Sequence, residues 1–162
     1  MTRRAKRPWV PHPFAFSWRK GGIFGCFLAI AFLAPVTHAR ADQEPLPRLR
    51  ERAEAARGGD RARLFLEAAR REMETADEHF TAGDVEQGHT LVKDSLADVE
   101  KAADAALQGH RVKQTELELR KLRRRTEEIR RSLAFDDRPQ LQAAEQRMDE
   151  LLQALLKKLF SK

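Results

Sequence analysis

The sequence predicts an all-α fold: a small helical bundle built on an antiparallel helical hairpin, with three to four principal helices. Three observations predict it. Apolar residues recur at steps of three and four in successive segments between residues 60 and 160. No segment shows the β-branched alternation of a half-buried strand. The breaks between segments carry Gly, Asp and Pro where helices end and begin.

In chain order, residues 1–41 come first and read as a removable signal peptide. Arg3, Arg4, Lys6, Arg7, Arg19 and Lys20 precede an apolar run from Ile23 to Val36. Thr37-His38-Ala39-Arg40-Ala41 then offers small residues at −3 and −1, which places cleavage after Ala41. A cut after Ala39 is the alternative site. A retained anchor is the alternative fate, but the run of 14 residues is shorter than the ~20 needed to cross a bilayer core. Cys26 does not mark a lipoprotein, because most of the apolar run follows it. Arg3-Arg4 lacks the apolar pair of a twin-arginine leader. The expected location is periplasmic or secreted.

Removing the leader changes the composition. The full chain carries a formal charge of +6. Residues 1–41 hold seven of the 31 Lys and Arg and none of the 25 Asp and Glu, which leaves 24 bases against 25 acids in 42–162. The basic balance therefore gives no case for nucleic acid. Cys26 and both tryptophans also lie in the leader. The remainder has no disulfide and no thiol nucleophile, so its stability must come from packing. Leu, Ile, Val and Phe make up 26 of its 121 residues, enough for one modest core.

Residues 42–59 read as a lead-in with a short helix over Leu49–Arg57, stopped by Gly58-Gly59. The bundle occupies 60–162. Asp60 is the expected N-cap of a helix whose stripe is Ala62, Leu66, Ala69, Met73, Ala76 and Phe80. Gly83 suits the left-handed residue after that helix, and Asp84 caps the next, with Gln87 as its capping-box partner. The third stripe is Val85, Gly88, Val92, Leu96, Val99, Ala103 and Ala106. Past Gly109 the stripe restarts in a shifted phase at Val112, Thr115, Leu119, Leu122, Thr126, Ile129 and Leu133, which predicts a break near Gly109. Phe135-Asp136-Asp137-Arg138-Pro139 reads as a turn, with Pro139 opening a last helix through Leu141, Ala144, Met148, Leu151, Leu152, Leu155 and Leu159.

The turn phrase Ala76-x-x-x-Phe80-x-Ala82-Gly83-Asp84 resembles that of a tetratricopeptide-type pair, but no ~34-residue repeat follows; a generic hairpin is preferred. Together with Glu118-Leu119-Arg120-Lys121-Leu122, Ile129-Arg130-Arg131-Ser132-Leu133 and Asp137-Arg138, the pattern over residues 60–160 resembles short exported all-helical bacterial proteins of uncharacterised function. The resemblance implies a compartment and a fold, and no site.

Charge alternates between neighbouring helices. Residues 67–104 hold 11 acids against four bases, and residues 110–131 hold nine bases against four acids. The basic helix is expected to lie along the acidic hairpin. Lys113, Arg120, Arg124 and Arg131 fall opposite the apolar stripe and form the candidate interaction face, with Arg123 and Arg130 at its flanks free to pair internally. A solvated face is the plainer alternative. Leu151, Leu152, Leu155 and Leu159 form the candidate self-association face, with burial in the chain's own core as the plainer alternative.

No catalytic or metal-ligating set is expected. His79, His89 and His110 show no H-x-x-x-H spacing. Ser95, Ser132 and Ser161 lie in no G-x-S-x-G turn. The expected function is a non-enzymatic interaction or scaffold protein of the cell envelope, with no cofactor and no small-molecule ligand. Its expected partner is another protein or a second copy. A peripheral binder of anionic membrane surfaces is the second reading, and a small metal-dependent enzyme the third.

Overall fold

A computed structural model of the chain describes residues 44–161. The order is α1 (Leu46–Ala55), α2 (Gly58–Ala82), α3 (Val85–Gln108), α4 (Val112–Ser132), a 3-10 turn (Phe135–Asp137) and α5 (Arg138–Phe160). No strand occurs among the described residues. All of them fall within one compact unit, residues 39–162. The expected cleavage after Ala41 lies outside the described residues.

Two antiparallel hairpins, α2–α3 and α4–α5, pack side by side, with α2 beside α4 and α3 beside α5. The α2–α3 turn forms as the residues predict. Gly83 takes φ +85°, its N–H donates to Phe80 O at 3.1 Å, and Asp84 N–H donates to His79 O at 2.9 Å. These two bonds are the Schellman closure, which glycine permits without steric cost. Asp84 Oδ1 accepts from Gln87 N–H at 3.4 Å, and Oδ2 lies 3.1 Å from His79 Nδ1. The predicted break near Gly109 is also present, between Gln108 and Val112.

Helix α1 differs from expectation. It spans Leu46–Ala55, with Pro47 in its first turn, where a missing N–H leaves no helical bond unmade. Extended backbone at Ala56 and Arg57 ends it, not the glycines. Gly58 and Gly59 instead open α2, and Asp60 sits in the first turn, not at the cap. The two glycines serve different needs: Gly58 takes φ +54°, which a side chain disfavours, and Gly59 allows close approach. A Cβ on Gly59 would stand 2.6 Å from the Arg111 stem, and one on Gly109 would stand 3.3 Å from Gly58 Cα.

The core contains every residue of the predicted α2 stripe, every residue of the α4 stripe, and the α5 stripe up to Leu155. Thr126 ties the hairpins at mid-height: its hydroxyl donates to Leu122 O at 3.0 Å and lies 3.8 Å from Met73 Sδ and 3.9 Å from Met148 Sδ. Helices α2 and α3 each bury a second line as well, through Phe65, Ala68 and Glu72 on α2 and Ser95, Asp98, Ala102 and Ala105 on α3. Helix α1 packs here, with Leu49 and Ala53 in the core.

Gly88 on α3 gives room for the Phe80 ring, since a Cβ there would stand 2.6–2.8 Å from three ring carbons. Gly88→Ala gains helix propensity, about 1 kcal/mol, but must displace a buried ring. The expected net result is a loss of about 1–2 kcal/mol in denaturant unfolding; a stabilised variant would show that the ring moves freely.

Candidate interaction face

Helix α4 is the most basic element, with eight Lys and Arg against four Glu. Its apolar stripe points into the core, so spacing alone turns Lys113, Arg120, Arg124 and Arg131 outward. All four are exposed. Arg120 pairs with Glu116 and Arg131 with Glu127, each one turn away. Among the described residues no hydrogen bond or ion pair reaches Lys113 or Arg124.

The flanking arginines hold α4 to its neighbours. Arg123 donates from Nε to Asp149 Oδ1 at 3.1 Å and from Nη1 to Glu127 Oε2 at 2.7 Å. The Asp149 hydrogen bond raises the Arg123 pKa above its ordinary value. Arg130 Nε donates to Glu145 Oε1 at 2.6 Å. On the other side Arg125 Nη2 donates to Asp77 Oδ2 at 2.5 Å, and Arg111 Nη2 lies 3.6 Å from Asp60 Oδ1. The basic helix thus lies against both helices of the acidic hairpin, more closely against α2 than α3, and among the described residues it exchanges ion pairs with α2 through Arg125 and with α5 through Arg123 and Arg130.

The Arg123–Asp149 and Arg130–Glu145 pairs fix the antiparallel register of α4 and α5. On α4, Leu117 falls on the same face as Lys113, Arg120 and Arg124 by helical spacing. Leu117 is 49% exposed and Phe160 81% exposed. Leu152, Leu156 and Phe160 follow one another at i+4 and so lie along one line of α5. Between the helices runs a shallow groove of about 470 Å³, with Leu152 and Leu156 as its apolar part and Arg120, Arg124, Glu127 and Asp149 along its walls. The site is therefore a ridge of cations on α4 bordering a groove whose apolar part is the half-buried Leu156 and the edge of the buried Leu152. The α5 part was not legible from the sequence, because helical period shows which residues share a face and not which neighbouring helix they border.

The leucines expected to favour self-association divide. Leu151, Leu152 and Leu155 are buried within the chain's own bundle, Leu155 completely, and Leu159 is 38% exposed. Only Leu159 and the adjacent Phe160 stand substantially free at that end.

A second cluster is buried, and no sequence pattern drew attention to it. Arg50 of α1 donates from Nε to Asp98 Oδ2 of α3 at 2.9 Å and from Nη2 to Glu72 Oε1 of α2. Glu72 is 2% exposed, and its Oε2 has no hydrogen-bond partner among the described residues. Burial, aided by the nearby Asp98 and Asp94 charges and only partly offset by Arg50, pushes the Glu72 carboxyl up to about 7. Glu54 adds an outer latch, accepting from Arg61 at 2.5 Å and Lys101 at 3.0 Å. The cluster fastens α1 to the first hairpin. A signal was present: Phe65, Ala68 and Glu72 lie at steps of three and four, as do Ser95, Asp98 and Ala102, tracing a second buried line on each helix.

His89 Nε2 donates to Asp137 O at 3.0 Å and packs edge-on against Phe80, which ties α3 to the start of α5. No group of three or more His, Cys, Asp or Glu placed to hold a metal exists among the described residues. No described helix is long and apolar enough to cross a membrane. No family model, curated protein or solved structure matches the chain.

Proposed function

We propose that the chain is an exported, non-enzymatic interaction protein of the cell envelope that docks an acidic partner protein across the outer face of α4 and α5. The observation that carries this reading is the pair Lys113 and Arg124, unpaired among the described residues, on the same face of α4 as the exposed Leu117. Protein interfaces combine such an apolar, arginine-rich centre with a polar rim. Export rests on the leader, and mass spectrometry of the purified protein is expected to find Asp42 at its N-terminus.

The second reading, a peripheral membrane binder, draws support from Lys157 and Lys158 beside Leu159 and Phe160. A photo-crosslinking residue at position 117, introduced into the full chain in its host cell, separates the two. One discrete adduct, lost in the Lys113→Glu, Arg124→Glu double variant, is the expected result. Sedimentation of the purified chain with phosphatidylglycerol vesicles, reversed by salt, would replace the protein partner with a membrane surface. Neither adduct nor sedimentation would remove this face as a binding site.

A further inference from the structure

A groove of about 440 Å³ lies on another side of the bundle, between the parallel helices α2 and α4. It runs from Gly59 and Arg111 at one end to Glu74 and Arg125 at the other, about 22 Å at 1.5 Å per residue. Leu66, Met73 and Leu122 form its floor. It exists because α2 and α4 touch along their length less closely than the members of either hairpin. Its volume is that of a site for one small molecule.

The charges along it are unevenly satisfied. At the far end each cation has acidic partners: Arg70 has Glu67 and Glu74, Lys121 has Glu118, and Arg125 has Asp77 and Glu128. At the near end Arg63 has no hydrogen bond or ion pair among the described residues. Arg111 has only the 3.6 Å approach to Asp60. Its stem lies across Gly59, where a Cβ would come within 2.6 Å of it, so the missing side chain at 59 lets this guanidinium sit at the groove mouth. The groove thus has a long apolar floor and two under-satisfied guanidinium groups at one end only.

We propose that this groove binds one single-chain fatty acid, with the carboxylate between Arg63 and Arg111 and the acyl chain over Leu66, Met73 and Leu122. The polarity follows from the charges. A carboxylate at the far end would compete with Glu67, Glu74 and Glu118 for cations already paired, whereas at the near end it meets two forks that suit it bidentately. The concave shape takes one chain lengthwise and would not mate with a bilayer surface. This site is separate from the α4–α5 face and does not depend on the reading given to that face.

Isothermal titration calorimetry of the purified full chain with laurate below its micelle concentration tests the proposal. The expected result is saturable binding of one laurate per chain, with neutral methyl laurate at least tenfold weaker. Arg63→Glu and Arg111→Glu should each weaken laurate at least tenfold, with helical content unchanged by circular dichroism. Lys93→Glu, the same charge change on exposed α3, should leave it unaltered. No saturable heat, several laurates per chain, equal binding of methyl laurate, or equal weakening by Lys93→Glu would each overturn the site. If Arg63→Glu and Arg111→Glu both unfold, Arg63→Gln and Arg111→Gln replace them; retained native affinity in both would overturn it equally.

Discussion

Leu155→Glu is expected to abolish the folded state, while Leu159→Glu, one turn further on, leaves it intact. Leu155 is fully buried in the core and Leu159 is 38% exposed. At 155 the substitution removes a packed leucine, which alone costs about 2–5 kcal/mol. It also buries a carboxylate that has no partner, for several kcal/mol more. Together these losses reach the range of about 5–15 kcal/mol that holds a typical domain together. At 159 the new carboxylate stays in water, and the change should fall within about 0.5 kcal/mol. Far-UV circular dichroism with urea titration reads both variants, and gel filtration with light scattering reads their size. A folded Leu155→Glu monomer would contradict the burial and return the leucine face to self-association.

Arg50→Ala is expected to lower stability by about 2–3 kcal/mol at pH 8 and by less at pH 5. Removing one partner of a buried ion pair costs about 3–5 kcal/mol. The lower figure applies because the Arg50 side chain is itself 36% exposed. The pH dependence comes from Glu72, whose carboxyl is raised from 4.5 to about 7. Between those values the folded chain binds the proton more tightly than the unfolded chain. Stability therefore falls as pH rises from about 4.5 to about 7 and levels off above. The full span is on the order of 3–4 kcal/mol. Glu67 and Glu54, lowered by their basic partners, act in the opposite sense, and their contribution is lost only as pH drops below the ordinary Glu range. Urea midpoints at pH 5 and pH 8 decide the matter. The native chain should be more stable at pH 5, and Glu72→Gln should remove the difference. A native midpoint equal at both pH values, or higher at pH 8, would sink the assignment to Glu72.

The candidate face was partly legible. Lys113, Arg120, Arg124 and Arg131 are exposed as their spacing required, because residues opposite a buried stripe have nowhere else to point. The exposure of Leu117 and Phe160 was not legible. They are exposed apolar residues 43 positions apart in the chain, on α4 and α5, and it is packing that leaves both uncovered. The α2–α4 groove was equally hidden, since it is a space between two helices that are not adjacent in the chain.

Sequence alone determined the class and the punctuation of this protein. The stripes of α2, α4 and α5 as far as Leu155, most of the α3 stripe (Val85 and Leu96 are only partly buried), the left-handed Gly83 with its Asp84 cap and the break at Gly109 are local matters. They depend on side-chain period and backbone conformation within a few residues, which any short stretch carries in full. Tertiary structure decided the rest. It made Gly58 and Gly59 the opening of α2, where Gly58 takes φ +54° and Gly59 leaves room for the Arg111 stem. It placed Arg50 between Glu72 and Asp98, and it buried Leu155 while leaving Leu159 in solvent. Each of these depends on which helices become neighbours and at what offset, a property of the whole packed chain.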